Sequence, residues 1–186
     1  MIYVNFSAEI NPHTSESLMN FLANQINTGE KEFYILLSSI GGNVKDGVTL
    51  YNYIKSLPAK VIMHNIGLVN SVANVIFLAG KERYAVAHSS FLFHGVGFDI
   101  PQPTRLEEKE LKEKMKIIEK DQALISEIIA EETKLTMDEI KKLFLEAQTK
   151  TPEEAKKIGL IQDIKEVKIP EGAKIFSFIF TQRPWR

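Results

Sequence analysis

Cysteine is absent from all 186 residues. Disulfides, thiolate nucleophiles and cysteine metal sites are therefore excluded, and the absence fits a reducing compartment. Charge of one sign is not in excess either: 23 Lys and Arg stand against 24 Asp and Glu. That balance argues against a nucleic-acid groove or an anionic membrane surface as partner, and it does little to resist self-association. No apolar run is long enough to span a bilayer, since the longest, residues 66–80, is interrupted by Asn70, Ser71 and Asn74. The opening MIYVNFSAEI has neither the basic nor the long apolar region of a secretory signal. A cytoplasmic protein with no nucleic-acid and no membrane partner is expected. The patterns HExxH, GxxxxGK[ST] and GxGxxG are missing, so no metal and no cofactor are expected.

What is present suits one globular domain: 44% of residues are hydrophobic and 25% charged. Strand and helix patterns alternate along the chain. Residues 1–6 read as a strand, and a helix capped at Thr14 or Ser15 runs to about Thr28. Residues 33–38 form a nearly all-apolar run, expected as a strand buried on both faces. A helix over 44–57, a strand over 60–66, a helix over 71–79 and strands over 83–87 and 90–93 follow. Such alternation implies βαβ crossovers and a mainly parallel sheet, hence the α/β class. Beyond Pro101-Gln102-Pro103 a long charged helix is expected over residues 104–132. Its apolar stripe is Leu111, Met115, Ile118, Ile125 and Ile129. At about 45 Å such a helix outreaches a small domain, so part of it should meet another subunit. Two further helices, 136–146 and 151–157, and strands over 159–164 and 174–180 complete the reading.

Three positions carry candidate chemistry. Gly41-Gly42 lies between a strand and a helix, where backbone N–H groups can point outward beside a helix N-terminus and cradle a phosphate or an oxyanion. A plain turn is the competing reading. Ser71 sits at a strand-to-helix junction, where a serine either caps the helix or is held on a turn as a nucleophile. His94 ends an apolar strand and is suited to general-base work near neutral pH, or to a purely structural hydrogen bond. His13, His64 and His88 are weaker candidates. Together the three form an ordered set: Ser71 is 29 residues after Gly42, and His94 is 23 residues after Ser71.

This set, in SSIGGNVKDGVTLYNYIKSLPAKV, GLVNSVANVIFLAG and SSFLFHGVGFD, resembles the proteolytic subunit of the Clp protease, with a weaker echo in TPEEAKKIGLIQDI. The resemblance runs from Tyr3 to about Ile164. It implies a crotonase-like fold of repeated ββα units in one domain: a head over 1–100, a handle helix over 104–132 and completion of the head over 136–180. It implies a serine endopeptidase acting on peptides or unfolded chains inside a ring, with Ser71 as nucleophile, His94 as base, and the N–H groups of Gly42 and Val72 as oxyanion hole. Three departures stand out. The serine's neighbours are Asn70, Val72 and Ala73 rather than the usual small residues. The family's catalytic aspartate aligns with Ala147; Glu146 and Asp99 lie near, and neither is assigned, so the third acid is open. The chain also begins at what would be the first head strand, without the segment that helps contact the ATPase ring, which leaves an AAA+ unfoldase open as a partner. Residues 165–186 extend the chain beyond the resemblance. A non-catalytic scaffold subunit and a crotonase-type acyl-CoA enzyme are the alternative readings.

Overall fold

The computed structural model describes residues 1–98 and 105–179; Asp99 and the final residues 180–186 lie outside them. Among the described residues eight strands form one sheet in the order β6-β5-β3-β2-β1-β8, with β4 beside β3 and β7 beside β4. Their spans are β1 Ile2–Ser7, β2 Glu32–Ser39, β3 Lys60–Asn70, β4 Glu82–Ala85, β5 Ser90–Leu92, β6 Thr149–Lys150, β7 Asp163–Ile164 and β8 Ile175–Ile179. Every pairing is parallel except β5 with β6. The parallel order follows from the helices that fill the crossovers: α1 Pro12–Asn27, α2 Val44–Ser56 and α3 Ala73–Leu78. Asn11 caps α1 by accepting from Thr14 N–H at 3.0 Å, so the cap lies three residues before Thr14.

Strand alternation sorts the side chains. Ile2, Val4 and Phe6 of β1, Phe33, Ile35 and Leu37 of β2, and Val61 and Met63 of β3 join one core with Leu18 and Leu22 of α1, Leu50 and Ile54 of α2, and the apolar residues of α3. The opposite face carries Tyr3, Tyr34, His64 and Tyr84. There Tyr34 is only half-buried, which corrects the expectation of a β2 covered on both sides: no helix of the crossovers above covers that face, and its aromatic rings shield one another instead.

His64 on that face is fully buried. Its Nε2 lies 3.0 Å from the Lys165 carbonyl, which only accepts, so Nε2 carries the proton and Nδ1 accepts from the Tyr34 hydroxyl at 2.7 Å. Burial, reinforced by the Lys165 charge, pushes the imidazole down to about 4. The folded value is lower than the unfolded one of about 6.5. The unfolded chain therefore takes up the proton first, and stability falls as pH drops from 6.5 toward 4. Between pH 7.5 and 5 this single group should remove on the order of 2 kcal/mol. Urea unfolding at both pH values should show that difference in the natural chain and a smaller one, by about that amount, in His64→Phe. Equal pH slopes in the two proteins would refute the assignment.

The long helix α4 spans Glu108–Glu132 and opens on a capping box between Glu107 and Glu110. It starts four residues later than the sequence pattern suggests, because that box satisfies the backbone N–H groups of Glu107 and Glu110. Its 25 residues reach roughly 37 Å. Ile125, Ile128 and Ile129 near its end enter the core, whereas Leu111 and Met115 near its start are 45% and 51% exposed. The short helices α5 Met137–Leu145 and α6 Pro152–Lys157 each begin at a threonine capping box. No helix among the described residues is long and apolar enough to cross a membrane.

Candidate active site

Three neighbouring parallel strands assemble the site. Strand β3 is long enough to be shared: residues 62–65 pair with β4, and residues 68–70 pair with β5. Asn70 faces Leu92 across the β3–β5 pair, and Val69 faces Ser39 across β3–β2. Ser71 is the next residue after β3, His94 is two residues past β5, and Gly41-Gly42 follows β2 within three residues. All three therefore leave the sheet at its carboxyl end, where open parallel sheets place their ligands. They line a single cleft of about 390 Å³ with Ile40, Val44, Val72, Phe93, Val96, Phe98, Ile125 and Phe144 among its walls.

The geometry shows Ser71 held on a turn and not capping the helix. Its φ is 56°, in the left-handed region that is strained for a residue with a side chain. Helix α3 begins at Ala73 with Val72 in the cap position and no side-chain cap. Ser71 Oγ makes no hydrogen bond among the described residues, so it is not the cap. The turn is held by its backbone instead: Ser71 N–H donates to the Leu92 carbonyl at 2.9 Å, and Ser71 O accepts from Asn74 N–H at 3.0 Å. Asn74 adds a second tie through its amide Nδ2, which donates to Ser71 O at 3.1 Å and to Leu92 O at 2.8 Å. One fully buried side chain thus fastens the serine turn to the strand that leads into His94. Sequence reasoning passed over Asn74; its signal was a polar residue inside the apolar run 72–79.

The glycine pair has no room for a side chain. Gly41, at φ +92°, has Asn70 O and Ser71 Cβ both 2.7 Å from where its own Cβ would stand, and at Gly42, φ +146°, Ile10 O would lie 2.1 Å away. A parallel bridge clamps the loop: Ile10 N–H donates to Gly41 O, and Asn43 N–H donates to Ile10 O, each at 2.8 Å. Neither the Gly42 N–H nor the Val72 N–H has a hydrogen-bond partner among the described residues. Gly47 was also unmarked by the sequence reading; Val72 Cγ2 packs where its Cβ would be, 2.3 Å away, which lets α2 and α3 approach closely at the serine turn.

His94 is exposed at the cleft. The segment around it is stitched to the last turn of α5 and the chain just beyond it: Phe93 N–H donates to Gln148 O at 2.9 Å and Gly95 N–H to Phe144 O at 3.2 Å. His94 Nδ1 lies 2.8 Å from the carbonyl oxygen of Gly95. No hydrogen bond joins His94 to Ser71 among the described residues, although both line the same cleft. Ala147 sits between Phe144 and Gln148 at φ 48°. Glu146 turns away, its carboxylate paired with Lys142 at 3.9 Å and hydrogen-bonded by the Gln148 amide. No carboxylate lines the cleft among the described residues, and no cluster of three or more His, Asp or Glu suited to a metal lies among them.

Comparison with known proteins places these features in context. A family profile described as Clp protease matches residues 2–168. The ATP-dependent Clp protease proteolytic subunit 2 of Borreliella burgdorferi is 29% identical over 148 residues, 75% of this chain and 69% of that protein. The subunit of the same name from Treponema denticola is 31% identical over 137 residues, 68% of this chain and 63% of that protein. Among solved structures, a ClpP1 mutant from Listeria monocytogenes superposes with a TM-score of 0.79 at 24% identity, covering 89% of this chain and 92% of that one. That superposition establishes the crotonase-like arrangement of sheet and helices.

Proposed function

Since the chain belongs to the Clp protease family, a family of peptide-bond hydrolases, we propose that it cleaves peptide bonds by a serine mechanism centred on Ser71 and His94. The observation that carries this reading is the delivery of Gly42, Ser71 and His94 by three adjacent parallel strands into one cleft, with Ser71 on a left-handed turn and its hydroxyl uncommitted to a cap. In the reaction Ser71 Oγ attacks the scissile carbonyl carbon while its proton passes to His94. The oxygen that becomes negative is received by the N–H groups of Gly42 and Val72, which have no other hydrogen-bond partner among the described residues. His94 then gives the proton to the departing amine. Water, deprotonated by the same imidazole, releases the acyl group and restores Ser71.

The substrate is a peptide or unfolded chain, and the working form is an oligomer in the cytoplasm, built from single-domain subunits. Support for association comes from α4, where Leu111, Met115 and Ile117 stand exposed on a helix that leaves the head. A non-catalytic scaffold is the second reading, favoured by the alanine at position 147 and by the open Ser71–His94 pair. Intact-mass analysis after fluorophosphonate treatment of the natural chain separates the two. A single adduct mapped to Ser71 is expected; a folded oligomer that takes up no label would overturn the peptidase reading.

A further inference from the structure

We propose that the main-chain carbonyl of Gly95 does the work of the third carboxylate that no described residue supplies, holding the His94 ring in the tautomer that a general base requires. The inference rests on the peptidase reading of Ser71 and His94. It starts from one distance: His94 Nδ1 is 2.8 Å from Gly95 O. A carbonyl has no proton to give, so Nδ1 must carry one, and the lone pair of the neutral ring is on Nε2. In a serine triad the carboxylate performs this same task, fixing the proton on Nδ1 and the ring in place.

The surroundings support a held carbonyl. Gly95 N–H is tied to Phe144 O at 3.2 Å, and Phe93 N–H to Gln148 O at 2.9 Å, so both sides of His94 are fastened to the segment that carries Ala147. Ala147 offers only a methyl group, and the Glu146 carboxylate is engaged with Lys142 and Gln148. A neutral acceptor fixes the tautomer as a carboxylate does. It lacks the negative charge that stabilises the imidazolium formed during attack, so the pair should be slower than a full triad.

The test reads the tautomer directly. Two-bond proton–nitrogen correlation spectra of the ¹⁵N-histidine-labelled full chain, recorded under conditions where the spectrum shows a neutral His94 ring, should show Nδ1 protonated. A neutral His94 with its proton on Nε2 overturns the proposal. A second protein carries the α-hydroxy acid in place of Val96, which turns the Gly95–Val96 amide into an ester and weakens only that carbonyl as an acceptor. The Val96 N–H it removes has no hydrogen-bond partner among the described residues. In this protein the Nδ1–H population should drop and Ser71 labelling by fluorophosphonate should slow by about tenfold; an unchanged tautomer or an unchanged labelling rate overturns the role of Gly95. If Ser71 of the natural chain takes no label, it is the peptidase reading that fails, and the tautomer spectra of the two proteins still decide for or against the Gly95 hydrogen bond.

Discussion

Ser71→Ala is expected to reduce peptide hydrolysis by at least about 10⁴-fold, and adding His94→Ala to it should change almost nothing further. In the proposed mechanism the hydroxyl is the attacking atom and the imidazole acts only through it, so removing either disables the same step, and the losses do not add. The folded state should tolerate both changes. Alanine at position 71 keeps every backbone tie of the turn, since the bonds to Leu92 and Asn74 use main-chain atoms of Ser71, and His94 is exposed. Hydrolysis of an unstructured fluorogenic peptide, with thermal unfolding recorded alongside, measures both expectations. A double variant far slower than either single one would mean that serine and histidine act independently, which the proposed mechanism does not allow.

The second large effect concerns stability. Arg83→Met is expected to destabilise the fold by about 3–5 kcal/mol, the range for removing one partner of a buried charge pair. Arg83 is only 7% exposed, and its guanidinium closes a junction at or just past the ends of α3, α4 and α6. Nε donates to Leu160 O at 2.9 Å, Nη2 to Glu132 O at 3.0 Å and Gly159 O at 3.2 Å, and Nη1 to Leu78 O at 3.3 Å and Gly80 O at 3.4 Å. Nη1 also reaches the Glu132 carboxylate at 3.3 Å, which Lys55 and the Tyr51 hydroxyl share at 2.6 and 2.8 Å. Burial works to raise Glu132, but its hydrogen bonds to Lys55 and Tyr51 and the charges of Lys55 and Arg83 hold its carboxyl below the usual range. Methionine fills the volume yet leaves the carbonyls unpaired and the carboxylate short of one cation. For a chain of this size the melting temperature should fall by roughly 10 °C. Arg83→Lys should recover little, because an ammonium with three donors cannot serve so many divergent acceptors. A loss under about 1 kcal/mol in urea titration would show that the junction is held by packing alone.

Much of the fold was legible in the sequence because its signals are local. The runs at Phe33, Val61 and Phe91 and the apolar spacing of α2 are periodicities a chain carries wherever it is placed. So are the breaks at Gly41-Gly42 and Pro58. They gave the alternation of strands and helices, and with it the parallel sheet. Element ends were read less well. α3 starts at Ala73 rather than Ser71 because the left-handed turn at Ser71 takes that residue out of the helix. The two-residue β6 has no local signature, since it exists only where residues 149–150 meet β5.

Gly42, Ser71 and His94 were chosen as a set from order and residue type, and the family resemblance supplied their roles. What residue type could not say is how they are held. Asn74 and Gly47 act across elements that are distant in sequence, and Arg83 bonds a carbonyl 77 positions away. The sequence by itself determined which chemistry is available: a hydroxyl, an imidazole and glycine N–H groups, with no thiol and with alanine at position 147. Only the tertiary structure decided that Ser71 sits on a left-handed turn and does not cap α3, that Glu146 faces away from the cleft, and that His94 leans on the Gly95 carbonyl. Residue identity fixes what a group can donate or accept, but a hydrogen bond exists only at a distance and an angle, and those are set by how the strands pair.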